Sequence, residues 1–224
     1  MNSLTDPTVA EVLERLHKAA DAQRPTLRER LAPLDDAPAD AWPEIMRDLY
    51  LPVTREQGRF LYQTVRAVGA RRVVEFGTSF GISTIYLAAG LRDNGGGVVV
   101  GSELFEEKAA TARDHLTAAG LGAYAEIRPG DARTTLLDPG GPVDVVLLDG
   151  GPGLYVEILR ALVPHLRVGA VIVADNVDGG GPEPDPYTSW VRDPANGFVS
   201  CSIGLRNGTE HSVWLGPPGP RPAS

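Results

Sequence analysis

Short apolar runs alternate with segments of helical spacing between residues 72 and 174. The apolar runs predict strands at residues 72–76, 98–101, 125–128, 143–148 and 170–174. The segments between them predict helices at residues 83–91, 106–119, 134–137 and 155–166. Repeated strand–helix units of this kind predict an α/β fold with a doubly wound, mostly parallel sheet and right-handed crossovers.

The residues before this alternation predict a helical extension. Residues 8–22 carry apolar side chains at helical spacing, whereas residues 24–43 are marked by prolines and predict loops or broken helices. A short helix is predicted at residues 44–50, and a capped helix runs from Thr54 to Gly69. We expect residues 1–52 to act as a lid or a dimer arm, or simply to pack on the rest of the chain.

The end of the chain has a different pattern. Residues 198–205 and 212–215 predict two strands that the Asn207-Gly208 pair joins as a hairpin. An antiparallel hairpin is a common way to complete the edge of a parallel sheet. We therefore expect one main domain over residues 53–216 and a frayed tail at residues 217–224.

Composition limits the class of protein. The chain has 224 residues, which suits one α/β domain, and its net charge of −8 argues against a nucleic-acid-binding surface. Its single cysteine, Cys201, rules out an internal disulfide and favours a reducing compartment. No secretory leader pattern is present, and no segment approaches the roughly 18 uninterrupted apolar residues of a membrane span. We expect a cytoplasmic protein with a small-molecule ligand and no membrane or nucleic-acid partner.

A glycine turn follows the first predicted strand, in the sequence RRVVEFGTSFGIS at residues 71–83. Gly77 and Gly81 allow a tight turn and a close approach of a ligand to the backbone. The helix start beyond them favours a carboxylate or phosphate. The G-x-x-x-G spacing differs from the G-x-G-x-x-G of dinucleotide-binding proteins. By itself this turn is a weak indication of a nucleotide-like cofactor, and a turn that binds nothing is the alternative.

Acidic residues stand at or just beyond the end of every predicted parallel strand. They are Glu75, Glu103, Asp131, Asp149 and Asp175. In open α/β sheets, ligands bind at the edge formed by the carboxyl ends of the strands. The residue after the second strand, Glu103, is placed to accept two ribose hydroxyls. Any one of these acids alone is equally consistent with a helix cap, but the repeated pattern favours a ligand site.

A second group of oxygen donors follows the fourth and fifth strands. Asp149, Asp175 and Asn176 should lie close together, because these two strands should be neighbours in the sheet. Two carboxylates and an amide oxygen are hard ligands that suit Mg²⁺ or Mn²⁺. The alternative is a pair of capping acids with Asn176 in a turn.

The chain resembles the class I S-adenosylmethionine-dependent methyltransferases, specifically the cation-dependent O-methyltransferases of the catechol and caffeoyl-CoA type. The residues that carry the resemblance are Val53 with Arg55-Glu56-Gln57-Gly58, the Val74–Ser83 run, Glu103, Gly130-Asp131-Ala132, the Asp144–Asp149 run with Tyr155 after it, and Ala174-Asp175-Asn176. The resemblance implies a Rossmann-like fold with a seven-stranded sheet. It also implies methyl transfer from S-adenosylmethionine to a hydroxyl of a small, catechol-like acceptor, and a homodimer.

The resemblance also implies roles for individual residues. The residues expected around S-adenosylmethionine are Val53, Glu75, Gly77, Ser79, Ser83, Glu103, Asp131, Ala132 and Asp149. The residues expected to bind Mg²⁺ or Mn²⁺ are Asp149, Asp175 and Asn176. Among these we expect Asp149 to be catalytic through the metal.

One position departs from the family pattern. The family has a lysine that acts as general base three residues after the Asp149 position, but Pro152 stands there, and the only lysines are Lys18 and Lys108. Three explanations remain: the metal alone acidifies the acceptor hydroxyl, another group such as His165 or His211 acts as base, or the acceptor needs no strong base. We expect a roomier acceptor pocket, walled by the N-terminal segment and residues 179–186.

Three other functions compete with this hypothesis. The first is a metal-independent methyltransferase acting on nitrogen, carbon or oxygen, which the missing lysine favours and the Asp175-Asn176 pair opposes. The second is a dinucleotide-dependent oxidoreductase, which the glycine spacing opposes. The third is a non-catalytic module that has kept the cofactor fold, since a fold alone does not establish an activity.

Overall fold

The strands form one seven-stranded sheet in the computed structural model, which describes residues 2–35, 38, 41–177, 185–205 and 208–217. The strands are β1 (Arg72–Phe76), β2 (Val98–Glu103), β3 (Ala125–Pro129), β4 (Val143–Leu148), β5 (Leu166–Ala174), β6 (Phe198–Ile203) and β7 (Thr209–Trp214). Their order is β3-β2-β1-β4-β5-β7-β6. β1 to β5 are parallel, and β7 is antiparallel to both β5 and β6. The predicted mostly parallel sheet with a carboxyl-terminal hairpin is thus confirmed.

Helices cover both faces of the sheet. They are α1 (Pro7–Leu31), α2 (Trp42–Ile45), α3 (Arg55–Ala67), α4 (Ile82–Asp93), α5 (Glu106–Ala118), α6 (Ala132–Thr135), α7 (Tyr155–Leu162) and α8 (Pro186–Arg192). Adjacent residues of a strand enter opposite layers: Val73 belongs to the core cluster that contains residues of α1, α3, α4 and α5, whereas Val74 belongs to the cluster that contains residues of α6, α7 and α8. A strand covered on both faces is mostly apolar, which explains the apolar runs. The buried acids within these strands, Glu75 and Asp144, accept hydrogen bonds.

The order of the strands reverses between β1 and β4. Strands β2 and β3 lie on one side of β1, and β4 and β5 lie on the other. Such a switch point opens a crevice at the carboxyl ends of the central strands, where ligands bind in α/β sheets. The fold therefore places a ligand site beyond Phe76 and Leu148.

The start of α3 is fixed by a capping box. The Thr54 hydroxyl accepts a hydrogen bond from the Gln57 N–H at 3.1 Å, and the Thr54 N–H donates to Gln57 Oε1 at 2.8 Å. At the other end Gly69 has a φ of +61°, which a glycine adopts without strain. Both ends of the predicted helix are confirmed to within a residue or two.

Several predicted boundaries were wrong. α1 continues to Leu31 instead of ending at residue 22, with Pro25 inside the helix. The Gln23 side chain holds this part of α1 by donating to the Asp48 carbonyl and accepting from the Tyr50 N–H. The helix predicted to reach residue 166 ends at Leu162, because Pro164 converts the next turn into a 3-10 turn.

Helix α8 was not predicted from the sequence. Its seven residues, Pro186–Arg192, bury only Tyr187 and Val191, so the segment is too short to show a helical period. The predictions for residues 179–186, the Asn207-Gly208 turn and the tail at 217–224 fall mostly on residues outside the described ranges. Within those ranges, no helix is long and apolar enough to cross a membrane.

Candidate functional site

A cleft opens at the carboxyl ends of β1 and β4, and we call it the strand-end cleft. One wall is the turn after β1, and the other is the extended segment before α3. Its lining residues are Tyr50, Leu51, Pro52, Val53, Gly77, Thr78, Ser79, Phe80, Ile82, Ser83 and Asp149. Five of the residues expected around a cofactor thus share one cleft: Val53, Gly77, Ser79, Ser83 and Asp149.

The turn after β1 lies directly against the backbone that follows β4. Gly77 has a φ of +98°, and a Cβ atom at this position would lie 2.6 Å from the Asp149 carbonyl oxygen. Ser79 has a φ of +49°, which is uncommon for a residue other than glycine. The Ser79 N–H donates to Glu103 Oε2 at 2.8 Å, and this bond helps to hold the conformation. The narrow passage therefore requires glycine at position 77.

Glu75 lies beneath this turn and is fully buried. It accepts hydrogen bonds from the hydroxyls of Thr78, Ser83 and Thr84 at 2.9, 2.7 and 2.6 Å. Burial raises the pKa of Glu75, and these three hydrogen bonds lower it by less. Glu75 thus organises the turn rather than lining the cleft. Because the Ser83 hydroxyl proton is directed to Glu75, Ser83 Oγ can meet a ligand only as an acceptor.

Glu103 ends β2 on the other side of the glycine turn. Its Oε2 accepts from the Ser79 N–H, and its Oε1 accepts from the Phe105 N–H at 3.1 Å. Each carboxylate oxygen has capacity for a second donor. The next residue, Leu104, is 47% exposed and offers an apolar surface beside the carboxylate. This arrangement is suited to a vicinal diol attached to a flat apolar group.

Asp131 and Ala132 follow β3, beside the end of β2. The Gly130 N–H donates to the Glu103 carbonyl oxygen at 2.8 Å, so this turn borders Glu103 rather than the residues that line the cleft. The Asp131 carboxylate accepts from the Arg133 N–H at 2.8 Å and from the Arg133 guanidinium at 2.6 Å. Hydrogen bonds from Arg133 hold the pKa of Asp131 below its usual range. The Asp131 carboxylate is therefore paired with Arg133 in this structure.

Asp149, Asp175 and Asn176, which we call the oxygen cluster, follow two neighbouring strands. Leu148 of β4 pairs with Ala174 of β5, so the acids leave the sheet side by side as predicted. The Asn176 side-chain amide lies 3.3 Å from Asp149 Oδ1, and Asn176 has a φ of +58°. Two of the three predicted ligands are therefore in direct contact.

Asp175 is the buried member of the oxygen cluster. Its Oδ1 accepts from Gln57 Nε2 at 2.8 Å and from Thr209 Oγ1 at 3.1 Å. Two donors use the full accepting capacity of this carboxylate oxygen. Gln57 belongs to α3 and Thr209 opens β7, so two distant segments orient this carboxylate.

The donor set of the oxygen cluster fits a hard divalent cation. Adjacent ligands around Mg²⁺ are about 3 Å apart, which is close to the 3.3 Å between Asp149 Oδ1 and the Asn176 amide. Rotating that amide by 180° exchanges its nitrogen for its oxygen. Among the described residues, no three His, Cys, Asp or Glu side chains form a metal-binding group. With Asp149 and Asp175 as two ligands, Asn176 would have to contribute the third.

No lysine replaces the general base that the family resemblance implied. Pro152 begins a 3-10 turn, Pro152–Leu154. Lys18 is exposed on α1 beside Glu14. Lys108 is buried, with its Nζ 4.9 Å from the centre of the Phe80 ring, and burial lowers the pKa of Lys108. Neither lysine lies at the oxygen cluster.

The two histidines considered as replacement bases lie in different places. His165 lies in the turn after α7, Val163–His165. His211 is half-buried on β7 with its ring edge-on to Phe60 at 5.9 Å between centroids, and burial lowers the pKa of His211. Val173 pairs with His211, which sets the histidine two residues along the sheet from the Asp175–Thr209 contact.

Three residues of the site were missed or underrated from the sequence. From the sequence, Gln57 is part of a capped helix and of the loose motif before the first strand, with no role of its own, and Thr209 lies outside the predicted strand at 212–215. The fully buried Tyr155 donates through its hydroxyl to the carbonyls of Asp175 at 3.1 Å and Gly150 at 3.3 Å. Only the register of β5 and β7 and the packing of α3 bring these side chains together.

Comparisons with known proteins agree with this geometry. Residues 74–177 match a protein family described as "Methyltransferase domain". The catechol O-methyltransferase of Mycobacterium tuberculosis is 40% identical over 132 residues, which are 58% of this chain and 59% of that protein. The chain thus matches somewhat less than two thirds of the length of its curated relatives.

Two crystal structures cover more of the chain. Cofactor-bound Rv0187 from Mycobacterium tuberculosis has a TM-score of 0.68 at 31% identity and covers 80% of this chain, which in turn covers 88% of Rv0187. The O-methyltransferase TomG from Streptomyces achromogenes, in complex with SAM and involved in tomaymycin synthesis, has a TM-score of 0.70 at 28% identity, covering 91% of this chain and 90% of TomG. The matched domain, the catechol O-methyltransferase relative and the fold shared with TomG therefore make this chain similar to the S-adenosylmethionine-dependent O-methyltransferases.

Proposed function

We propose that this protein transfers a methyl group from S-adenosylmethionine to a hydroxyl of a small molecule. The observation that carries the proposal is the single edge of the sheet where the strand-end cleft, Glu103 and the oxygen cluster meet. The named O-methyltransferases among the relatives support the same reaction. The acidic net charge favours an acceptor that is neutral or cationic.

The chain's own residues would bind the cofactor along the glycine turn. The sulfonium of S-adenosylmethionine supplies an electrophilic methyl group. Val53 and Gly77 would border its methionine part, and Ser83 Oγ would accept a hydrogen bond from its amino group, because the Ser83 proton is directed to Glu75. Glu103 would accept the ribose hydroxyls. Asp131 and Ala132 would lie on the adenine side, where the Asp131–Arg133 pair fixes the turn.

The oxygen cluster would hold Mg²⁺ or Mn²⁺ beside the cleft. Such a cation supplies positive charge that favours an ionised acceptor hydroxyl. Asp149, Asp175 and the Asn176 oxygen are the proposed ligands. A chelating pair of oxygens suits this arrangement best, so we propose a catechol-like acceptor. Since no lysine lies nearby, the chain supplies position and charge rather than a strong base.

The segment before α3 would exclude water from the cleft. Tyr50 stacks on Phe80 with 4.2 Å between ring centres, and residues 50–53 form one wall. Residues 1–52 would thus act as a cover that packs on the methyltransferase domain, since Val9, Val12 and Leu16 of α1 enter its core. We also propose a homodimer, which sedimentation equilibrium tests directly.

The first experiment is isothermal titration of chelator-treated protein. S-adenosylhomocysteine is added first, and catechol is then added with and without Mg²⁺. Cofactor binding together with Mg²⁺-dependent catechol binding, and a methylated catechol in a turnover assay analysed by mass spectrometry, supports the proposal. The absence of any S-adenosylhomocysteine binding refutes it. Glu103→Ala is the matched variant, and we expect it to weaken cofactor binding while leaving Mg²⁺ binding unchanged.

A metal-independent methyltransferase is the second candidate. Pro152 at the lysine position and the engagement of Asp175 Oδ1 by Gln57 and Thr209 favour it. In that case the carboxylates bind the acceptor directly. A turnover rate that does not change when a chelator is added would favour this metal-independent candidate over the metal-dependent one.

A further inference from the structure

Gln57 is a buried side chain that touches two parts of the site at once. It is 5% exposed, and every polar group of its side chain has a protein partner. It does not line the strand-end cleft, and it is not in the oxygen cluster. Its position between these two parts is therefore its distinguishing feature.

The carbonyl half of Gln57 holds the wall of the strand-end cleft. Gln57 Oε1 accepts the Thr54 N–H at 2.8 Å, and the Gln57 N–H donates back to Thr54 Oγ1 at 3.1 Å. Thr54 directly follows Val53, the last wall residue. The hydrogen bond to the Thr54 N–H thus fixes the angle at which residues 50–53 leave α3.

The amino half of Gln57 holds the buried acid of the oxygen cluster. Gln57 Nε2 donates to Asp175 Oδ1 at 2.8 Å, and Thr209 donates to the same oxygen. Apolar side chains surround these groups in a small pocket lined by Val53, Phe60, Leu61, Leu147, Val173 and Leu205. Low local polarity strengthens such hydrogen bonds and penalises an unpaired group.

We propose that Gln57 is a positioning residue that ties the cofactor wall to the Asp175 carboxylate. This inference rests on the proposed function. An amide is the side chain that offers a strong acceptor and a strong donor at the same end. An ionised glutamate at this position would keep the acceptor for Thr54, but it would lose the donor to Asp175 and place a like charge beside that carboxylate. A lysine would keep the donor and lose the acceptor.

These two substitutions separate the two halves experimentally. Gln57→Glu and Gln57→Lys are compared with Thr209→Val, which removes the other donor to Asp175 Oδ1 and leaves the cap intact. S-adenosylhomocysteine affinity is measured by titration calorimetry on metal-free protein. The KM and kcat for catechol are measured with Mg²⁺ at saturating cofactor. Thermal unfolding shows whether each variant is folded, and we expect Gln57→Glu to fold because glutamate is a normal capping-box residue.

We expect Gln57→Lys to affect cofactor binding, and Gln57→Glu and Thr209→Val to affect the reaction with catechol. Gln57→Lys weakens S-adenosylhomocysteine binding by roughly threefold to tenfold, the effect of one lost hydrogen bond. Gln57→Glu and Thr209→Val keep the affinity for S-adenosylhomocysteine within about twofold of the wild type. Both variants change the KM or kcat for catechol, because each removes a hydrogen bond to Asp175 Oδ1.

Two results would overturn the inference. One is a folded Gln57→Glu variant that loses cofactor affinity while Thr209→Val leaves the catechol parameters unchanged. The other is wild-type behaviour of both Gln57 variants in both assays. Failure of the wild-type protein to bind S-adenosylhomocysteine would instead refute the proposed function, so the two failures are distinguishable.

Discussion

The contact between Gly77 and the backbone of Asp149 yields a quantitative test of how the strand-end cleft is built. Replacing Gly77 by alanine places a Cβ atom 2.6 Å from the Asp149 carbonyl oxygen and 2.7 Å from the Gly150 nitrogen, where contacts under 3.0 Å are essentially never found. Both atoms belong to the peptide group between Asp149 and Gly150, so rotation of a side chain cannot relieve the clash. The substitution also forces alanine to a φ of +98°.

The expected cost of Gly77→Ala has two parts. The unfavourable φ costs about 1–3 kcal/mol, and overpacking against a fixed backbone costs about 1–3 kcal/mol more. The two ranges together give an expected loss of about 2–6 kcal/mol in the free energy of unfolding. For a chain of this size each kcal/mol lowers Tm by roughly 2–4 °C. Because β1 and the turn after β4 must separate, S-adenosylhomocysteine binding should fall below detection.

Two other glycines supply matched controls. Gly69 has a φ of +61°, and a Cβ atom added there would have no neighbouring atom within 4 Å, so Gly69→Ala isolates the conformational part at about 1 kcal/mol. Gly151 has a φ of −67° and equally open surroundings, so Gly151→Ala should be neutral or stabilising by about 0.4–1 kcal/mol.

Urea unfolding at equilibrium and titration calorimetry with S-adenosylhomocysteine measure the three variants. The expected order of stability is Gly151→Ala, then Gly69→Ala, then Gly77→Ala. A Gly77→Ala protein as stable as Gly69→Ala, or one that binds S-adenosylhomocysteine normally, would refute the close approach of β1 to the residues after β4.

Three further predictions concern the groups around the cleft. Burial raises the pKa of Glu75 above its ordinary value of about 4.3. Protonated Glu75 therefore stabilises the folded state fully at pH values below that ordinary value. This stabilisation is lost as the pH rises through the raised pKa of the folded state. The Glu75→Gln variant should therefore gain stability relative to the wild type as pH rises when urea unfolding is followed from about pH 4 to about pH 7, and a constant difference would contradict this. Tyr155→Phe removes the donor to the Asp175 carbonyl and should cost about 1–3 kcal/mol of unfolding free energy, whereas unchanged urea unfolding would show that the bond is unimportant. Asp149→Asn should weaken Mn²⁺ binding by more than about tenfold in electron paramagnetic resonance titrations, with Gly151→Ala as the control variant that keeps Mn²⁺ affinity; a Mn²⁺ affinity of Asp149→Asn equal to that of the wild type would exclude Asp149 as a ligand.

The sheet and its acidic edge were predictable because they depend on local pattern. β1 and β4 have the predicted bounds, because a strand covered on both faces is a mostly apolar run. The acids Glu103, Asp149 and Asp175 were recognisable because each of them interrupts such an apolar run at or just after its end. The direction of each acid's side chain was not predictable: Glu75 faces three hydroxyls beneath the turn, and Asp131 faces Arg133.

The contacts that hold Asp175 depend on packing between distant segments. Gln57 is 118 positions away and Thr209 is 34 positions away. Neither separation leaves a periodic signal, because one contact requires the docking of α3 and the other requires the register of an antiparallel strand. The continuation of α1 through Pro25 is a similar case, in which tertiary contacts of Gln23 override local preference.

Because β7 runs opposite to β5 and lies between β5 and β6, the sheet can be completed only after β7 has been synthesised. Because β7 is antiparallel to β5, its first residue, Thr209, reaches the edge where the parallel strands end. β6 emerges from the ribosome before β7, its only neighbour in the described sheet, and must wait for that partner. A nascent chain stopped before residue 209 would carry the glycine turn and all five strand-end acids, but β5 would present a bare edge and Asp175 would lack one donor. Prematurely terminated products should therefore be prone to association through that edge.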